Sequence, residues 1–301
     1  MQTAFFKSIA VAAWTAAALY SPICAAQAPD CPNGGTVRFG AEPYESVAKL
    51  VPVYKNLGKI LAKAIDCKVE VVITTNYTAE IEAMRHGKLE VAEFGPFGYV
   101  LAHKVAGAEA VAAFSNSHGQ PATYYASIVT WPGSGITTIK QVAGHTFAYS
   151  DPASTSGHLF PSYGLSKAGI DPDHGVKAIY AGSHTQSFEA LRHHKVQAGE
   201  LNSEQIEAAR NANEYDAKAY VTLWKSDPIP LDPITVSKSL KEPFKSRLTA
   251  ALQHLDYSGL PEKDRKVLMG GGMHLLPQTD GAYDLIRDLV KTLHIDLNKM
   301  S

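Results

Sequence analysis

Ser150-Asp151-Pro152-Ala153-Ser154-Thr155-Ser156-Gly157-His158-Leu159-Phe160-Pro161 is the stretch that decides how this chain is built. Before it, residues 145–149 (His-Thr-Phe-Ala-Tyr) are apolar and β-branched enough to predict a short buried strand. After it, Leu159, Tyr163, Leu165 and Ile170 lie on a mostly apolar segment that predicts a helix ending near Gly169. The stretch is therefore a strand-to-helix turn carrying three consecutive hydroxyl residues and a glycine. The first turn of a helix leaves its N–H groups unpaired and carries partial positive charge. Hydroxyls beside those groups make a compact, uncharged cradle for the oxygens of an anion. An ordinary helix cap needs one such hydroxyl, not three in a row.

Working outward toward the N-terminus, residues 36–40 read as a strand followed by the turn Ala41-Glu42-Pro43-Tyr44-Glu45-Ser46. Val47, Leu50, Val51, Tyr54, Leu57 and Leu61 recur at helical spacing, with Pro52 predicting a kink or a late start. Further strands are predicted over 69–74, 89–94 and 110–114, with a helix over 78–86 and another after Gly95-Pro96-Phe97-Gly98-Tyr99. Alternating strands and helices imply a mostly parallel sheet covered by helices. A second region opens at Gly119-Gln120-Pro121 and holds strands over 124–131, 145–149, 176–180, 196–201 and 220–224, with helices over 185–194 and 204–212. Residues 116–125 and the proline-rich 225–233 read as two connectors between lobes. Helices near 241–255 and 283–293 return to the first lobe.

An internal echo supports two related lobes: Arg85-His86-Gly87-Lys88-Leu89-Glu90-Val91-Ala92-Glu93-Phe94 against Arg192-His193-His194-Lys195-Val196-Gln197-Ala198-Gly199-Glu200-Leu201. Whatever follows each of these strands lies at a carboxyl end, where doubly wound sheets place ligands.

The 301 residues are 45% hydrophobic and 19% charged, enough for two globular domains. Residues 1–26 differ: Lys7 is their only charge, residues 8–20 form an apolar run, and Cys24-Ala25-Ala26 ends in small residues. This pattern predicts a cleaved export signal; a lipid anchor at Cys24 fits less well, because Ser21-Pro22-Ile23 is a poor approach to it. Without those residues 27 of the 28 basic side chains face 29 acids, so no basic field is left for nucleic acid or a membrane surface. Cys31 and Cys67 remain, and an even count in an exported chain favours a disulfide between them.

Phe94-Gly95-Pro96-Phe97-Gly98-Tyr99, Ser154-Thr155-Ser156-Gly157, Gly182-Ser183-His184 and Asp227-Pro228-Ile229-Pro230 together resemble the phosphate/phosphite/phosphonate-binding proteins of ABC importers, in order and across nearly the whole exported chain. The resemblance implies an α/β, two-lobed periplasmic binding fold of type II, with residues 27–118 and 229–301 in one lobe and 119–228 in the other. It implies capture of a small phosphorus oxyanion by cleft closure and presentation to a membrane permease. Carried onto this chain, the ligand residues are Ser154, Thr155, Ser156, His158, Tyr99 and Tyr44, with Asn202 at the second-lobe strand end. Many relatives carry Asp at that last position. Asn donates to an oxyanion but pairs weakly with ammonium, so aminoalkylphosphonates are expected to bind less well than phosphite, phosphate or a simple alkylphosphonate, unless Glu200 rescues the amine.

Other readings are weaker. A periplasmic sensor subunit feeding a histidine kinase has the same fold. Tyr124-Tyr125 resembles the tyrosine pair of ferric-ion-binding proteins, but alternating tyrosines in a connector more often pack. Tyr163-Gly-Leu-Ser-Lys167 has a dehydrogenase spacing but no glycine-rich dinucleotide turn accompanies it, and Ser156-Gly157 lacks a nucleophile elbow. The expectation is a monomeric binder with no cofactor, no metal, no catalytic residue and no nucleic-acid partner.

Overall fold

The computed structural model describes residues 30–300, so the expected export signal and Cys24 lie outside the described residues. The strands in chain order are β1 (Thr36–Ala41), β2 (Lys68–Ile73), β3 (Val91–Glu93), β4 (Ala108–Asn116), β5 (Thr123–Tyr124), β6 (Ser127–Thr130), β7 (Thr146–Tyr149), β8 (Lys177–Tyr180), β9 (Ala198–Glu200), β10 (Val221–Lys225), β11 (Ile229–Pro230), β12 (Pro233–Ser237) and β13 (Gly271–Pro277). They form a six-stranded sheet ordered β13-β4-β12-β3-β1-β2, a five-stranded sheet ordered β10-β6-β9-β7-β8, and a two-stranded ladder of β5 with β11.

The two large sheets share one plan. In each, the first strand of a βαβ unit lies between its second and third, all parallel (β2-β1-β3 and β8-β7-β9). In each, the strand that has just crossed from the other lobe inserts antiparallel beside the third: β12 between β3 and β4, β6 between β9 and β10. The β5–β11 ladder carries both crossings. The internal echo falls on matching elements, since Arg85 and Arg192 end the equivalent helices Tyr77–Arg85 and His184–Arg192, and Glu93 and Glu200 end the equivalent strands.

Two strands escape sequence patterning. β12 begins at Pro233, which reads as a turn, yet runs fully buried through the middle of its sheet. Its proline is tolerated because it stands first in the strand. β13 opens Gly-Gly and pairs with β4 through a register shift, so no alternation marks it. The Val47–Ile65 helix runs through Pro52 without a late start, and sets Leu50, Tyr54, Leu57 and Leu61 fully buried in the first-lobe core. Burying each such side chain is worth about 1.5–3 kcal/mol. Cys31 and Cys67 are joined as a disulfide with Cα atoms 5.9 Å apart, tying the lead into β1 to the lead into β2.

Candidate ligand-binding site

Between the lobes lies a cavity of about 550 Å³, reached by the carboxyl ends of β1, β3, β7 and β9. The predicted turn forms one wall. Ser154 is the cap of a π-helical turn, Thr155–Leu159, that leads straight into the Phe160–Lys167 helix. Gly157 is required by close approach: a Cβ there would sit 1.7 Å from Ser150 Oγ and 2.9 Å from His184 Cε1.

Each hydroxyl of the turn accepts one fixed N–H. Ser154 Oγ accepts from Gly157 N at 3.1 Å, Thr155 Oγ1 from Phe97 N at 2.8 Å, and Ser156 Oγ from Asn202 Nδ2 at 3.0 Å. A hydroxyl has one proton and two lone pairs, so an acceptor engaged in this way keeps its own O–H to give. The three side chains are thereby oriented as donors. Asn202 acts through Ser156: its Oδ1 caps the Ser203–Asn211 helix by accepting from Gln205 N at 2.7 Å, and its Nδ2 holds the serine.

Of the predicted residues, Tyr44, Ser154, Thr155, Ser156 and Asn202 line the cavity, whereas Tyr99 and His158 do not. Tyr44 offers its ring; its hydroxyl turns into the first lobe, 3.1 Å from both Tyr54 Oη and Val267 O. Tyr99 lies on the second turn of the Pro96–Ala106 helix and packs on Tyr283 with ring centres 5.0 Å apart. It donates to Asp280 at 2.6 Å, so the packing of the C-terminal helix, not the cleft, holds this tyrosine. His158 points away from the cradle, its Nδ1 2.7 Å from Pro152 O and its Nε2 3.2 Å from Tyr180 Oη. Burial among Tyr149 and Tyr180 pushes its imidazole pKa down.

The histidine at the cavity is His184, first residue of its helix, with Nε2 3.4 Å from Ser154 Oγ. Its Nδ1 lies 3.0 and 3.1 Å from the two oxygens of Glu200, which is therefore engaged beneath the imidazole and not offered to an amine. His184 was visible in the Gly182-Ser183-His184 motif without being assigned a contact. Tyr77, its counterpart on the first-lobe helix, also lines the cavity, with a buried hydroxyl that has no partner. Tyr124 does so from β5, beside the Thr155 and Ser156 hydroxyls, a position the reading of it as connector packing missed.

Acids also line the cavity, Glu42 and Asp232 from the first lobe and Glu204 from the second; Glu42 and Asp232 are 2% and 3% exposed, and each leaves one oxygen without a partner. Glu80 and Glu93 lie behind them, fully buried and unpartnered. Burial first, then mutual repulsion through Asp232, holds the Glu42, Glu80 and Glu93 carboxyls well above their usual range. Burial pushes Glu204 up to about 7.

Residues 39–280 match the family described as ABC transporter, phosphonate, periplasmic substrate-binding protein, and the chain belongs to it. The phosphate-import protein PhnD of Mycolicibacterium smegmatis is 29% identical over 273 residues, covering 84% of each chain. The phosphonates-binding periplasmic protein of Escherichia coli is 26% identical over 75% of this chain and 68% of its own. The same fold occurs in PhnD1 of Prochlorococcus marinus in complex with methylphosphonate, at a TM-score of 0.75 and 21% identity over 87% of this chain and 99% of that one. Members of this family are periplasmic components of importers that bind a substrate for a permease.

Proposed function

We propose that this chain captures an organophosphonate with a short amino-bearing substituent, holds it without chemical change, and delivers it to an ABC permease. The phosphonate head sits in the Ser154-Thr155-Ser156 cradle with His184, and the substituent runs toward Asp232 and Glu204. The observation that carries this reading is the supply of one accepted N–H to each cradle hydroxyl, which leaves the Thr155 and Ser156 O–H groups to donate to phosphonate oxygens, with Ser154 paired to His184 beside them. The unpartnered Asp232 oxygen, with Glu204 beside the cavity, favours an ammonium there, which reverses the preference expected from Asn202 alone. Tyr99 and His158 are left out of the ligand set, and Tyr77, Tyr124 and His184 enter it.

We place the lobes at residues 27–118 with 229–301 and at 119–228, and the protein as an exported monomer whose signal ends near Ala26. Hinge motion about the β5–β11 ladder would open the cleft. Across it Thr185 Oγ1 donates to Glu45 Oε1 at 2.5 Å, and Phe97 donates to Thr155, so the closed form is tied at two points beside the ligand. Calorimetric titration tests the reading. An aminoalkylphosphonate should bind at least about tenfold more tightly than methylphosphonate, a difference of about 1.4 kcal/mol. Equal or weaker binding of the aminated ligand returns the preference to simple oxyanions; no binding of either removes the cradle as the site.

A further inference from the structure

One of the acids that line the cavity stands close to the cradle. Glu42, just past β1 and among the residues that line the cavity, accepts the Gly95 N–H on Oε1 at 3.0 Å, while its buried Oε2 has no partner. Gly95 shows how near the two walls come at this point. A Cβ built on it would lie 3.0 Å from Glu42 Oε1 and 3.2 Å from Thr155 Oγ1. A carboxyl of the first lobe and a cradle hydroxyl of the second thus flank a single backbone position. An oxyanion gripped by Thr155 is a neighbour of Glu42.

Two negative charges so placed in a closed cleft repel strongly, because little water remains to screen them. The contact becomes attractive when the carboxyl is neutral and its second oxygen carries a proton. The surroundings of Glu42 press in that direction from every side. Glu80 and Tyr77 face it from the Tyr77–Arg85 helix, Glu93 from the end of β3, and Asp232 from the lead into β12. On its own loop Glu45 is already paired with Lys49. Across the cleft stand the uncharged Thr155 hydroxyl and His184, whose Nδ1 is held by the Glu200 carboxylate. Among the described residues no lysine or arginine is buried with this group; Lys49, Lys263 and Lys266 reach the cavity only from its exposed rim.

We infer that Glu42 binds the ligand head as a neutral acid, with Gly95 N–H holding Oε1 and the Oε2–H group donating to a phosphorus oxygen. This deepens the reading above and rests on the head occupying the cradle. Burial, reinforced by Asp232 and Glu80, raises the Glu42 carboxyl in agreement with that role. An ammonium on the substituent adds to the effect: Asp232 ionises against it, and the new negative charge helps keep the proton on Glu42. No proton changes hands with the ligand head.

The test is titration of methylphosphonate into wild-type protein and into Glu42→Gln from about pH 6 to about pH 9. Gln keeps an acceptor for Gly95 and a donor for the ligand but cannot ionise. Methylphosphonate's own titration is common to both proteins, so the ratio of their affinities reports Glu42 alone. The two should bind within about threefold at the acid end, and wild type should fall at least about tenfold behind the variant at the alkaline end. A ratio that stays flat, or a variant already tenfold weaker at the acid end, overturns the inference while leaving the cradle intact as the site. Failure of wild type itself to bind methylphosphonate or an aminoalkylphosphonate instead removes the site reading. Should Glu42→Gln not fold, infrared difference spectra of wild type decide the matter. The protonated-carboxyl stretch should move to lower frequency when methylphosphonate is added, and an unmoved band overturns the inference.

Discussion

Thr155 Oγ1 accepts the Phe97 N–H at 2.8 Å, so a cradle hydroxyl of one lobe is bound to the helix start of the other. In the proposed site the same oxygen keeps its proton for the ligand, so closure and capture would share one side chain, and a ligand held on one lobe would favour the closed state.

Replacing Thr155 by Val retains the shape and removes both bonds. A hydrogen bond to a charged group is worth about 1.5–3 kcal/mol, so the dissociation constant for a phosphonate should rise about 10- to 100-fold with little change in thermal stability. Thr155→Ser should restore most of the loss. Titration calorimetry of the two variants checks this. Unchanged affinity in Thr155→Val would place the pocket elsewhere.

The carboxylate of Glu200 sits under His184 and keeps Nε2 facing Ser154. Gln at this position still accepts from Nδ1, whereas Ala does not. We expect Glu200→Gln to weaken binding by about fivefold, the worth of about 1 kcal/mol, and Glu200→Ala to weaken it further. The order of the two variants, measured on folded protein, separates positioning of the imidazole from simple loss of charge.

Glu80 and Glu93 have carboxyls raised above their ordinary 4.5 by burial, so the native protein binds more protons than the unfolded chain. Their contribution is complete below the unfolded value and is lost as pH rises through the folded one. The ligand-free melting temperature should therefore fall between about pH 5 and about pH 9. Glu80→Gln, which keeps the volume and removes the titration, should flatten that decline and raise the melting temperature at the alkaline end. A profile equally steep in the variant would show that other groups set it.

The Cys31–Cys67 disulfide closes a loop with a sequence separation of 36. Loop closure on that scale stabilises by about 4 kcal/mol through the unfolded state. Reduction, or a Cys31→Ser and Cys67→Ser double variant, should lower the melting temperature while leaving ligand affinity within about twofold, because the bridge lies at the edge of the first lobe away from the cavity. Calorimetric scans with and without reductant distinguish the two effects.

Much of the fold was legible in the sequence because it is written in local signals. The three-hydroxyl turn, the helical spacing from Val47 to Leu61 and the Arg85/Arg192 echo each depend on residues close together in the chain. β12 and β13 were not legible. Their place in the sheet comes from a partner more than a hundred residues away, and their own residues read as turn or loop.

The hydroxyl turn itself followed from the sequence alone: which residues form it and that it caps a helical turn. Which side chains surround it was decided by the tertiary structure. Tyr99 and His158 have the chemistry of ligand residues, but packing on Tyr283 and on Tyr180 turns them away. Tyr77, Glu42 and Asp232 come from three separate elements of the first lobe, and His184 joins them from the second only where the two lobes face each other. The direction of a side chain depends on what it packs against, and that information is spread over the whole chain.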